Sequence, residues 1–176
     1  MSELAVGDIF SLALSNGEVG HGFIADIHPQ SRKTPTPYIA IFKPDANPMD
    51  TGKSFGPDHF LLVGWTMDAL FHHKRWSVVG CSEKPDTLPR PHFQVGIDSV
   101  RYVTDFYGTP LRKASKAEVE FYDLQSFSAP IGFQNAYEAV LGLREWEERF
   151  DRLTIAHAMR QGMGPTSPRW KFWAST

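Results

Sequence analysis

The side chains most able to do chemistry are spread along the chain, and their spacing decides what chemistry is open to them. Asp50-Thr51-Gly52-Lys53-Ser54 has the ending of a phosphate-binding loop, in which backbone amides cradle phosphates and a lysine reaches them. That loop also needs a glycine five residues before Gly52. Asn47 stands there, in a proline-bearing stretch, so the segment reads as an ordinary loop. Gly20-His21-Gly22-Phe23-Ile24-Ala25 has the outline of a dinucleotide fingerprint, yet it falls in a strand-like run and opens no helix. Its glycines read as places for bending or a bulge.

The seven histidines form no His-x-x-x-His or His-x-x-Glu-His pair, the spacings that put two ligands on one helix face. His72-His73 points its rings to different sides of a helix. His21 shares a strand face with Phe23 and Ile27 and reads as a core histidine. Cys81, the single cysteine, has no nucleophile signature around it, excludes an internal disulfide and reads as a buried thiol in a reducing compartment. Glu118 and Glu120 share one face of an expected strand, where charges oppose edge aggregation as readily as they serve acid–base work. No metal, cofactor or catalytic residue is assigned.

The elements that would position these groups come in two styles. Up to about residue 125 the pattern is strand-like: Ile9–Leu14, Val19–Ile27, Tyr38–Lys43, His59–Trp65, Trp76–Gly80, Phe93–Ile97, Val100–Tyr107 and Val119–Leu124. Asn16-Gly17 between the first two runs signals a tight hairpin, because both residues tolerate positive φ. Thr66–His73 reads as a short helix with Thr66 as N-cap. After residue 130, Asn135 reads as an N-cap with Glu138 reaching back to it. Val140, Leu143, Trp146, Phe150, Leu153 and His157 then recur as one stripe of a long helix over about 135–161, stopped at Gly162. Strands following strands without long helices between them predict an α+β fold: a mainly antiparallel, strongly bent sheet or partial barrel with a short mid-chain helix and a long C-terminal helix packed on it. The expected organisation is one domain over 1–176, with a sheet-rich core at about 6–125, the helical segment and an aromatic tail at 165–176. Phe10, Leu12, Phe23, Trp76, Val78 and Phe150 are its expected core.

With 176 residues and a net charge of -2, the chain can bury a sizeable core and lacks the basic excess of a general nucleic-acid binder. Its start lacks the basic and continuously apolar character of a secretory signal, and no run approaches a membrane span, so a cytoplasmic protein is expected. Residues 116–151 carry eight acidic against three basic side chains, net -5, while 152–176 carry four basic and no acidic ones. A solvated helix face with a basic end accounts for this, and so does an acidic patch for a basic partner.

Val6-Gly7-Asp8-Ile9-Phe10 with its glycine-containing return strand, and Trp76-Ser77-Val78-Val79-Gly80 followed by a proline-bounded loop and His92-Phe93, resemble the immunity protein 26 family of bacterial polymorphic-toxin systems. The resemblance covers about residues 6–108. It implies a non-enzymatic cytoplasmic inhibitor that binds a cognate toxin domain, with a nuclease as one candidate, and occludes its active site during bacterial competition. Membrane and direct nucleic-acid partners are not expected. The acidic side chains Glu145, Glu147, Glu148 and Asp151 are the expected contact surface, with Trp170 and Trp173 as apolar anchors. Two other functions stay open. One is a small RNA-directed enzyme on an SH3-like barrel, using His21, Arg75 or Arg101. The other is a peptide- or protein-binding adaptor that uses the terminal aromatics.

Overall fold

The computed structural model describes residues 4–30, 35–46, 48, 55–83 and 88–165. Alternation makes the opening run a hairpin: β1 (Asp8–Ala13) pairs antiparallel with β2 (Val19–Ile27), Ile9 opposite Phe23 and Ala13 opposite Val19. At the turn only Gly17 has positive φ, at +86°. Its N–H donates to the Leu14 carbonyl at 3.1 Å. Asn16 instead contributes its side chain, Oδ1 accepting the Glu18 N–H at 3.0 Å, so this is a turn of three residues and not a primed pair. The primed pair occurs elsewhere, at Asp98 and Ser99, with φ of 46° and 67°.

β3 (Pro37–Phe42) and β4 (Phe60–Trp65) extend the sheet from β2, and β5 (Trp76–Cys81) joins the other side of β1, giving the order β4-β3-β2-β1-β5 with every pairing antiparallel. Register shifts occur at Ile9/Phe10, Ile24/Asp26 and Ile41/Phe42, and such bulges bend and twist a sheet. The sheet is antiparallel and open; it does not close into a barrel. α1 (Ala69–His72) lies between β4 and β5, capped by Asp68 and not Thr66. Thr66 Oγ1 donates to the Ser128 carbonyl at 2.8 Å, and bridges at Thr66–Ser128 and Leu62–Thr154 cover the outer side of β4.

Phe10, Leu12, Ile24, Ile39, Ile41, Leu62, Trp76, Phe133, Tyr137 and Phe150 form one buried cluster. Its shape explains the glycines of β2. A Cβ on Gly22 would overlap the Phe10 ring, and one on Gly20 would stand 2.6 Å from Tyr137 Cε1. They are slots for aromatic rings. Val78, expected in this core, is 39% exposed. β5 is an edge strand, and only its Trp76 reaches the core, stacked on Phe10 at 5.0 Å and edge-on to Phe71 at 5.3 Å. Cys81, at the end of the same strand, is exposed and not buried.

The chain divides into two compact units, Met1–Leu88 with Phe127–Ile155, and Pro89–Ser126 with Ala156–Thr176. The second holds β6 (Phe93–Ile97), β7 (Val100–Thr104) and β8 (Pro110–Lys113) in that order, antiparallel. The run expected as a strand at Val119–Leu124 is instead mostly helix, α2 (Lys116–Phe121). Ser115 caps it, accepting the Glu118 N–H, and Glu118 Oε2 accepts the Ser115 N–H at 2.9 Å. The same carboxylate is held by Arg112, Nη1 to Oε2 at 2.8 Å. This reciprocal cap satisfies the orphan amides that a helix start exposes, and it outweighs the strand preference of Val119-Glu120-Phe121-Tyr122. Glu118 and Glu120 therefore do not share a strand face. Two buried glutamines hold the end of α2 and the residues beyond it. Gln94 Nε2 donates to the Val119 carbonyl at 2.8 Å, and Gln161 spans the Asp123 N–H and the Phe121 carbonyl at 3.1 and 2.9 Å.

The long C-terminal helix is not formed. α3 (Pro130–Val140) starts five residues before Asn135, with proline in its first turn, a 3₁₀ turn comes next at Glu148–Leu153, and α4 (Ile155–Met163) comes after that. Gly142 breaks the run at φ +73°. Its N–H donates to the Ala139 carbonyl at 3.1 Å and the Leu143 N–H to the Glu138 carbonyl at 2.9 Å, the paired bonds that close a helix end through a left-handed residue. Of the expected stripe, Phe150 and Leu153 are buried in the first unit, Val140, Leu143 and Trp146 are exposed, and His157 pairs with Asp123 at 2.7 Å in the second.

Candidate partner interface

Residues 142–149 are all exposed, yet both ends of this segment are fixed. Upstream stands the C-terminus of α3, where Glu138 is only 3% exposed. Its Oε1 accepts the Ser15 N–H at 2.9 Å and its Oε2 pairs with Arg144 Nε at 3.3 Å, so one buried carboxylate ties the β1–β2 turn to the exposed segment. Gln134 beside it donates to the Ala13 carbonyl at 3.1 Å. Downstream, Phe150 is 1% exposed and anchors the 3₁₀ turn in the core. A segment closed by a helix cap on one side and a buried phenylalanine on the other is displayed without being loose.

The charges on it are unbalanced. Arg144 is engaged by Glu138, and Arg149 by Glu147 at 2.8 Å, its guanidinium also lying over the Phe150 ring. Glu145 and Glu148 have no cationic partner among the described residues. Asp151 is occupied differently: its Oδ1 accepts the Trp146 indole N–H at 2.8 Å. Trp146 stands edge-on to Phe150 at 5.5 Å. Glu145, Glu147, Glu148 and Asp151 thus fall on one short exposed stretch, as their sequence proximity requires, but with separate roles. Trp170 and Trp173 lie outside the described residues. The role of Trp146 escaped sequence reading, because its three-and-four spacing with Phe150 mimics a helix stripe.

The side chains named for an RNA-directed enzyme come from different elements. His21 is half-buried on β2 opposite Ser11, and burial lowers its pKa. Arg75 is exposed beside Trp76, and Arg101 is exposed on β7 in the other unit. Burial pushes the Tyr137 and Tyr122 phenols up. The Arg112 guanidinium, with further help from Ser115, draws Glu118 down to about 2 against the opposing effect of burial. Glu118 is a helix cap, and its shift is accounted for structurally. Among the described residues no group of three or more His, Cys, Asp or Glu is placed to hold a metal ion. No helix there is long and apolar enough to cross a membrane.

No curated protein and no solved structure matches the chain. The family model of immunity protein 26 matches residues 5–102, which takes in the five-stranded sheet, β6 and most of β7, and ends well before the exposed acidic segment. A match over more than half of the 176 residues, in a range that includes the hairpin and the Trp76 strand, places this chain in the immunity protein 26 family.

Proposed function

We propose that this protein binds a cognate toxin domain in the cytoplasm and neutralises it by covering the active site, without catalysis of its own, and that the contact is made by the segment around Glu145, Glu147, Glu148 and Asp151. Trp170 and Trp173 are proposed as further apolar contacts. Family membership supports the immunity role. The observation that carries the choice of surface is the pair Glu145 and Glu148, which have no cation within the described residues to balance them on a segment fixed at both ends. A nuclease cleft is basic because it binds phosphates, and carboxylates on a backbone already fixed at both ends meet it with less ordering cost than those on a loose loop. Opposite charge acts mainly on the association rate.

The test is stopped-flow binding between the purified protein and the toxin domain encoded directly upstream of its gene, together with rescue of cells expressing that toxin. The Glu145→Lys/Glu148→Lys double variant should associate at least about tenfold more slowly at low salt and lose most of its salt dependence. An unchanged association rate removes this segment from the contact. Failure of the unaltered protein to bind or protect removes the immunity role for that pair.

A further inference from the structure

The same segment also carries two exposed apolar side chains, one of them the indole ring of Trp146. Leu143 is 37% and Trp146 42% exposed; a polar bond holds the Trp146 ring, and one holds the Leu143 backbone. Leu143 is set by the helix-closing bond from its own N–H to the Glu138 carbonyl. Trp146 is set by Asp151 through the indole N–H and by the edge of Phe150. Water would satisfy that N–H almost as well, so the bond adds little to folding. Its effect is to choose one orientation for a large ring that remains 42% exposed.

From this we infer that Trp146, with Leu143 three residues before it on the same segment, is the apolar anchor of the toxin contact, and that Asp151 is a positioning residue that presets the indole. The inference rests on the proposed immunity role and deepens it. The partner it fits is a protein surface with an apolar pocket inside a basic rim. The pocket takes the ring, and the rim meets Glu145 and Glu148, which have no cationic partner among the described residues. Buried tryptophans at the centre of an interface carry much of its energy, while flanking charges steer approach. Fixing the rotamer before binding removes an ordering cost that a free side chain would impose on association.

The experiment uses the full chain and the toxin domain encoded directly upstream of its gene, with dissociation and association rates measured separately. Trp146→Ala should weaken binding at least about 30-fold, almost all of it as faster dissociation. Leu143→Ala should act in the same direction with a smaller factor. Asp151→Ala should weaken binding several-fold and release the Trp146 indole N–H, seen as loss of its protection from solvent exchange. Asp151→Asn keeps an acceptor oxygen and loses the charge, so it should retain both affinity and protection. A change under about threefold for Trp146→Ala overturns the anchor, and if the Glu145→Lys/Glu148→Lys variant still associates slowly, the acidic contact stands without it. Equal loss for Asp151→Asn and Asp151→Ala, with the indole protection intact in both, overturns the positioning role and makes Asp151 a charge contact. If the unaltered protein does not bind that toxin domain, both the anchor and the immunity reading fall for that pair.

Discussion

Trp76 and Trp146 belong to the same unit and are fixed by opposite means. Trp76 is 1% exposed, stacked on Phe10 and edge-on to Phe71, and its indole N–H is buried with no hydrogen-bond partner among the described residues. Trp146 is 42% exposed, and its indole N–H is bonded to Asp151. The sheet core accepts an unpaired donor in exchange for the shape of the ring; leaving such a donor dry costs about 1–3 kcal/mol. The exposed segment does the reverse and uses a donor that water could satisfy to fix a direction. One tryptophan is placed for stability and the other for presentation.

That difference can be broken most forcefully at Trp76. Trp76→Ala should destabilise the protein by about 3–5 kcal/mol, the usual result of emptying a large aromatic site, measured by urea unfolding. Trp76→Phe should cost clearly less, because it keeps much of the ring contact and removes the unpaired N–H. If Trp76→Phe is as damaging as Trp76→Ala, the indole N–H has a partner and the contrast between the two rings disappears.

Whether polar bonds can fix an element as firmly as rings do is open to test in the second unit, at the start of α2. Glu118 is held at about 2 chiefly by its hydrogen bonds from Arg112, against an ordinary 4.5. Its folded-state pKa is depressed, so the stability it contributes is fully present above the unfolded value near 4.5 and is lost as pH falls from there toward 2. The stability gap between the native chain and Glu118→Gln should therefore be flat above about pH 5.5 and close on acidification below 4.5. Ser115→Ala should cost about 1 kcal/mol, as loss of a serine cap does. A gap that widens in acid would show that the Arg112–Glu118 pair is not what holds α2.

The parts that were legible in the sequence are those governed by local rules. Alternation marked the β1–β2 hairpin, and Phe10, Leu12, Phe23 and Trp76 are buried as expected, as is Phe150, although the helix stripe that suggested it is not formed. The α2 helix was written there too, as Ser115-Lys116-Ala117-Glu118, a serine three residues before a glutamate. The β-favouring Val119 and Phe121–Tyr122 obscured it, since propensity competes poorly with a satisfied cap. The long helix failed at Gly142, whose left-handed conformation ended α3 while the apolar spacing continued past it by coincidence. Val78 could not be placed because burial on an edge strand depends on what lies beyond it. The acidic segment was legible as composition. Its division into unbalanced carboxylates, an engaged Glu147 and an Asp151 bonded to an indole depends on a 3₁₀ turn that no periodicity announces.

The smallest expected effect is at Trp146, and its smallness is informative. Replacing it by alanine removes one exposed hydrogen bond and part of one ring contact, and leaves no closed cavity, because a ring 42% in water had no complete packing shell to lose. Trp146→Ala should therefore shift unfolding free energy by less than about 1 kcal/mol, within the range of surface substitutions and far from Trp76→Ala. Circular dichroism and urea unfolding of the two variants side by side measure this. A loss above about 2 kcal/mol would put Trp146 in the core and remove the reason to treat it as displayed. A small loss, paired with a large change in toxin dissociation, separates the two tryptophans by role: one ring holds the sheet together, and the other is held out for a partner.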